Sequence, residues 1–132
     1  MRILNLLMAA LFLFGAAVQF NDPDSAVWIV TYLVAAGACA FAHRNPASWT
    51  VPAVVAAACV IWAIMLAPSV LGRVPFGSMF GAWEMQNVGI EQSREMYGLL
   101  IIAAWMVVLA VRGYRHSRSG PTRASRVVER GT

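Results

Sequence analysis

Four long apolar runs divide the chain. They are Ile3–Phe20, Ala26–Ala42, Val51–Leu71 and Met96–Val111, and none of them contains a charged residue. Each approaches the roughly 20 residues that a helix needs to cross about 30 Å of hydrocarbon. Backbone groups cannot stay unpaired in lipid, so these runs read as helices. The expected fold is an all-α four-helix transmembrane bundle, with spans over about 3–20, 26–42, 51–71 and 94–112 forming one membrane domain over 1–112. The first run follows Arg2 and holds Gly15, Ala16 and Ala17, as a signal peptide can, but it is longer than a usual signal core and lacks a clean cleavage pattern, so it reads as a retained helix.

The connections differ. Asn21–Ser25 is a tight acidic turn, 43–50 is short, and 72–95 is the one long connection. Within it, Phe76, Phe80 and Trp83 recur at i, i+4, i+7 beside Met79, which fits a short interfacial helix or a cover over the bundle mouth. Residues 113–132 read as a polar, Arg-rich, disordered tail.

Composition agrees with this pattern. Of 132 residues 60% are hydrophobic and 12% are charged, with mean hydropathy +0.66. Soluble domains carry about 25% charged residues. That deficit excludes a soluble enzyme domain, a disordered chain and a nucleic-acid-binding module. The expected location is the cell (inner) membrane, as a multi-pass protein.

Charge sets the orientation. All ten basic residues are arginine. With four spans, Arg2, Arg44, Arg112, Arg115, Arg118, Arg123, Arg126 and Arg130 share one side, against Arg73 and Arg94 on the other. The positive-inside bias then places both termini in the cytoplasm, where the tail meets anionic lipid. The small residues Gly15, Ala16, Ala36, Gly37, Ala40, Ala53, Ala57, Gly98 and Ala103 offer surfaces for close helix approach. Trp28 and Trp49 stand at span edges, where indoles favour the interface; Trp62 and Trp105 lie mid-span and need an interhelical partner.

Candidate chemistry concentrates at the outer side. Five of six carboxylates fall there: Asp22, Asp24, Glu84, Glu91 and Glu95. Asp22 is placed to cap the second helix, with Pro23 at its first position and Asp24 near its positive end. Glu91 and Glu95 share a helix face beside Arg94. Met96–Val111 covers only about 24 Å as a helix, so that helix must begin earlier and carry Arg94 and Glu95 to the headgroup boundary, where charges need partners or water. Asn21, Asp22, Asp24, Glu91, Arg94 and Glu95 thus form either a structural polar staple or an interaction site. An alternative is an outward divalent-cation or polar-ligand site, for which Asp22, Asp24, Glu91 and Glu95 suit a hard ion. A small transporter would need a polar path, for which Gln19, Asn21, Thr31 and Tyr32 are the candidates.

Other sites find less support. Cys39 and His43 share a helix face, but Cys59 lies roughly 9 Å away in depth at 1.5 Å per residue, so the cysteines read as buried thiols. No span holds a mid-membrane ionisable group of the kind that ion-coupled carriers use. Walker, HExxH, CxxC and CxxCH motifs are absent, and no catalytic residue or cofactor is expected. The expected role is non-enzymatic, with the bilayer and a membrane protein or second copy as partners, and without nucleic acid.

Two longer motifs resemble the transmembrane protein 220 family. The first is Gln19-Phe20-Asn21-Asp22-Pro23-Asp24, followed by Trp28 and Tyr32 at four-residue steps. The second is Glu91-x-x-Arg94-Glu95-x-x-Gly98-Leu99-x-Ile101-Ile102-x-x-Trp105. Asn45-Pro46 and Trp62-Ala63 are similar too. The resemblance runs from about Leu7 to Val111 and departs from the family in 72–89. It implies a small multi-span membrane protein with a retained first helix. It pairs the two outward motifs as joint hallmarks and assigns no catalytic residue.

Overall fold

The structure, a computed structural model, describes residues 1–77 and 88–119. Four helices carry them: α1 (Arg2–Val18), α2 (Ser25–Arg44), α3 (Thr50–Val70) and α4 (Val88–Ser119), with a single 3₁₀ turn, Gln19–Asn21, between α1 and α2. All four are long and apolar enough to cross a membrane. No strand occurs among the described residues.

The helices pack as two pairs, α1 on α2 and α3 on α4, and α2 joins them by touching both α3 and α4. The core is built from one stripe of α4 at helical spacing. Met96, Leu99, Ile102, Ala103, Met106 and Leu109 are all buried. Small residues face it, among them Ala35, Ala36 and Cys39 of α2 and Ala56, Cys59 and Ala63 of α3, which lets the backbones approach closely. The outward faces are apolar. Ile3 is 76% exposed, Phe14 63%, Val54 68% and Met65 73%, surfaces that only lipid or a partner can cover.

The small residues divide by role. A Cβ on Gly15 would lie 2.9 Å from the ring of Tyr32, and one on Gly98 would lie 2.9 Å from its hydroxyl oxygen, so Tyr32 fills a slot between α1 and α4. Gly37, by contrast, meets nothing within 4 Å, and Ala40 and Ala57 are exposed; these do not serve the close approach expected of them.

Helix α4 runs on to Ser119, past residue 113, where the sequence reading begins the tail. Past Val111 no proline stands before Pro121, the lone Gly113 is tolerated within the helix, and local contacts hold the extra turns. Tyr114 meets Trp49 edge-on at 5.7 Å, and the Arg118 guanidinium lies 5.5 Å from the Tyr114 ring centre. The backbone of Ser48 passes so close to Gly113 that a Cβ there would sit 2.7 Å from its carbonyl oxygen. At 32 residues, α4 is about 48 Å long and projects beyond the hydrocarbon core.

Near the start of α1 a buried polar contact ties three helices. Asn5 is 2% exposed; its Nδ2 donates to the Cys39 carbonyl at 2.8 Å, and its Oδ1 accepts from Trp105 Nε1 at 3.3 Å. Cys39 and Cys59 are buried free thiols.

Candidate functional site

The acidic turn between α1 and α2 is shaped by its backbone. The Asp22 N–H donates to Gln19 O at 3.1 Å, closing the 3₁₀ turn, and Asp22 is itself extended. Its carbonyl accepts from Ser25 N–H at 3.2 Å. Helix α2 therefore begins at Ser25, with Asp24 rather than Asp22 at the cap position, and neither the capping role expected of Asp22 nor Pro23 at the first helical position is realised. Asp24 makes no side-chain cap; its carbonyl accepts from the N–H groups of Val27 and Trp28.

One turn into α2, Trp28 organises the site. It is 4% exposed, which corrects its reading as an interfacial anchor. Its indole stacks on Trp62 of α3, with ring centres 4.9 Å apart and planes 20° from parallel. Its Nε1 donates to Glu95 Oε1 of α4 at 2.9 Å. Glu95 is half-buried, and a charged acceptor in such a place needs a donor of this kind. Trp62 supplies the area and Glu95 the polar partner, so burial of Trp28 is favourable on both counts.

Around Glu95 the other charges gather. Glu91 feels the charges of Asp22, Asp24 and Arg94, and Glu95 those of Glu91, Asp24 and Asp22. Four carboxylates thus share this mouth with Arg94. Glu91 stands in the first turn of α4, where the helix dipole favours a negative charge. Asn21 and Asp24 are exposed, and Asp22, Glu91 and Arg94 are partly buried. Among the described residues no three His, Cys, Asp or Glu side chains group closely enough to hold a metal ion.

Sequence reasoning brought together Asp22, Asp24, Glu91, Arg94 and Glu95, and the structure places them at one end. It left out Ser93, which is fully buried on α4 with no hydrogen-bond partner for its hydroxyl, and Asn5 at the opposite end. Thr31, named for a polar path, turns its hydroxyl back to the Val27 carbonyl at 2.8 Å. Phe76 packs edge-on against Tyr97 of α4 at 5.2 Å, beside the mouth. Met79, Phe80, Trp83 and Glu84, the rest of the aromatic pattern and the fifth outward acid, lie outside the described residues.

The two sequence motifs meet in space. Trp28 and Tyr32, one turn apart on α2, face Glu95 and Gly98, one turn apart on α4. The pairs form a single interhelical register with a hydrogen bond at one step and a tight steric fit at the next. The other two motif aromatics are also interhelical, Trp62 through its stack on Trp28 and Trp105 through its bond to Asn5.

Residues 11–111 match the family model described as transmembrane family 220, helix. Transmembrane protein 220 of Xenopus laevis is 32% identical over a 113-residue alignment that covers 81% of this chain and 56% of that protein. The chain therefore spans little more than half the length of this relative. No solved structure matches it. With four helices fit to span a membrane, both motifs joined at one mouth and the family model matched from within α1 to near the end of the fourth apolar run, the chain is a membrane protein that belongs to transmembrane family 220.

Proposed function

We propose that the chain is a non-enzymatic protein of the cell's inner membrane, with both termini in the cytoplasm, whose acidic mouth binds a basic group of a partner membrane protein. The observation that supports this is the unequal charge of the mouth. Asp22, Asp24, Glu91 and Glu95 act on one another, and Arg94 is the counter-charge in their midst. The Glu95 carboxylate is engaged by the Trp28 indole, which stacks on Trp62, so one acid of the cluster is anchored on an aromatic base. Among the described residues the acids do not group as ligands of a metal ion, which favours a basic side chain over a divalent ion as the occupant. The arginines of residues 112–130 serve on this reading as a cytoplasmic contact with anionic lipid.

A photo-reactive residue placed at Asp24 or at Glu91 in native membranes tests the mouth. The expected result is one discrete protein adduct from each position, none from the exposed Val30 on the flank of α2, and loss of the adduct from position 24 on Asp22→Asn with Glu91→Gln. Adducts to lipid alone would make the cluster an internal staple. A reporter fused within residues 72–90 tests the orientation; a cytoplasmic signal from it would reverse the topology.

A further inference from the structure

At the end of the bundle opposite the acidic mouth, two adjoining grooves run between α3 and α4. One, of about 620 Å³, is lined by Trp49, Tyr114, Arg115 and Arg118. The other, of about 430 Å³, is lined by Ala53, Ala57, Val60, Ile61 and Val107. They share Ala110 and Val111 and so adjoin at one turn of α4, end to end along a shallow surface channel.

The lining follows from helical spacing. On α4, positions 107, 111, 114, 115 and 118 lie on one face, and on α3 positions 53, 57, 60 and 61 do. Alanine at 53 and 57 gives the groove its depth, and valine and isoleucine form its walls. From Ala53 to Ile61 the groove is about 12 Å long at 1.5 Å per residue. One leaflet of a hydrocarbon core about 30 Å thick is about 15 Å deep. The apolar part is therefore the length of an acyl chain in one leaflet. At its mouth stand an indole and a phenol, with two guanidinium groups beyond them.

We infer that this channel binds one anionic phospholipid, with an acyl chain between α3 and α4 and the phosphate between Arg115 and Arg118. Charge selects the headgroup. The described carboxylates Asp22, Asp24, Glu91 and Glu95 gather at the opposite mouth, and neither groove is lined by an acid. Guanidinium groups bind phosphate oxygens in a fork that a zwitterionic headgroup partly offsets with its own cation. Trp49 and Tyr114, edge to face at 5.7 Å, set the depth of the headgroup. A second copy of the chain is a poorer occupant. A two-fold contact on this face would bring Arg115 and Arg118 of both copies together.

Native mass spectrometry of the full chain, purified in detergent with equimolar phosphatidylglycerol and phosphatidylcholine, tests the inference. The expected result is retention of one phosphatidylglycerol in preference to phosphatidylcholine. Each arginine near a phosphate contributes about 1 kcal/mol, so Arg115→Gln with Arg118→Gln should cut that preference roughly thirty-fold. The conservative pair Arg115→Lys with Arg118→Lys should keep part of it. Ala57→Leu fills the groove and should lower retention of both lipids. Arg2→Gln with Arg44→Gln, at exposed positions that line neither groove, should change nothing. Equal retention of the two lipids, or an equal loss from the 2/44 variant, would overturn the site. So would a dimer without bound lipid that Ala57→Leu disrupts. Far-UV circular dichroism checks that each variant keeps its helices.

Discussion

Two residues carry much of the specificity of this bundle, and both are polar contacts within an apolar interior. Asn5 serves α1, α2 and α4 at once. Replacing it with leucine leaves the Trp105 indole N–H without an acceptor. Interhelical hydrogen bonds in membranes contribute about 0.6 kcal/mol on average and up to about 1.7. Asn5→Leu should destabilise by an amount in that range, and Trp105→Phe in the Asn5→Leu background should add little further loss. Independent losses in a double-mutant cycle would show that the 3.3 Å contact carries no energy. Trp28→Phe should be worse. It removes a bond to a carboxylate, for which about 1.5–3 kcal/mol is typical, and it shrinks the stack on Trp62. A Trp28→Phe protein as stable as the parent in chemical unfolding would refute the organising role given to this indole. Both residues were visible in the sequence, but their partners were not. Asn5 stands out in its apolar run, yet its acceptor and donor lie 34 and 100 residues away. Trp28 sits where an interfacial anchor would sit, and only the facing Trp62 and Glu95 make it a core residue.

At the scale of elements, the decisive feature is the register between α2 and α4. Tyr32 is held between Gly15 and Gly98, each close enough that a Cβ would stand 2.9 Å from it. The ring cannot yield to one side without meeting the other. Gly98→Val and Gly15→Val should therefore each overpack the slot, with losses of about 1–3 kcal/mol. Tyr32→Leu should restore part of the stability of Gly98→Val, since it removes the hydroxyl that the new methyl groups meet. No rescue by Tyr32→Leu in thermal unfolding would place the strain elsewhere. The existence of the four helices was legible because hydrophobic runs of 16–21 residues leave few alternatives. Their ends were less so. The charged, arginine-rich turns after Val111 look like a solvated tail, but Trp49 and Ser48, from the loop before α3, pack against Tyr114 and Gly113 and carry α4 on to Ser119. Propensity alone does not reveal such tertiary support, and the same limit hid which small residues mattered. Gly15 and Gly98 meet a tyrosine, and Gly37 meets nothing.

For the molecule as a whole, charge is scarce and sorted by end, and its balance at the acidic mouth separates a staple from a binding site. In a staple, attraction of Arg94 for the carboxylates dominates, and screening by salt should weaken the fold. In a site kept open for a cationic partner, repulsion among Asp22, Asp24, Glu91 and Glu95 dominates, and screening should strengthen it. The Debye length falls from about 30 Å at 0.01 M to about 8 Å at 0.15 M, so the exposed part of the cluster is within reach of this test. The expected outcome is a thermal midpoint that rises over that interval. Asp24→Asn should raise the midpoint at low salt by a small amount, within about 0.5 kcal/mol for an exposed position, and should flatten the salt dependence. Calcium should do no more than sodium at equal ionic strength, because the carboxylates do not converge on a metal position. A midpoint that falls with sodium chloride would assign the cluster to internal pairing. A calcium effect beyond ionic strength, lost in Glu91→Gln, would restore the divalent ion as the occupant. A rise with salt is expected because the four acids of the cluster outnumber Arg94. The Glu95 carboxylate accepts from an uncharged donor, Trp28, a bond insensitive to screening, so salt acts on the partly buried Asp22, Glu91 and Arg94 and on the exposed Asp24.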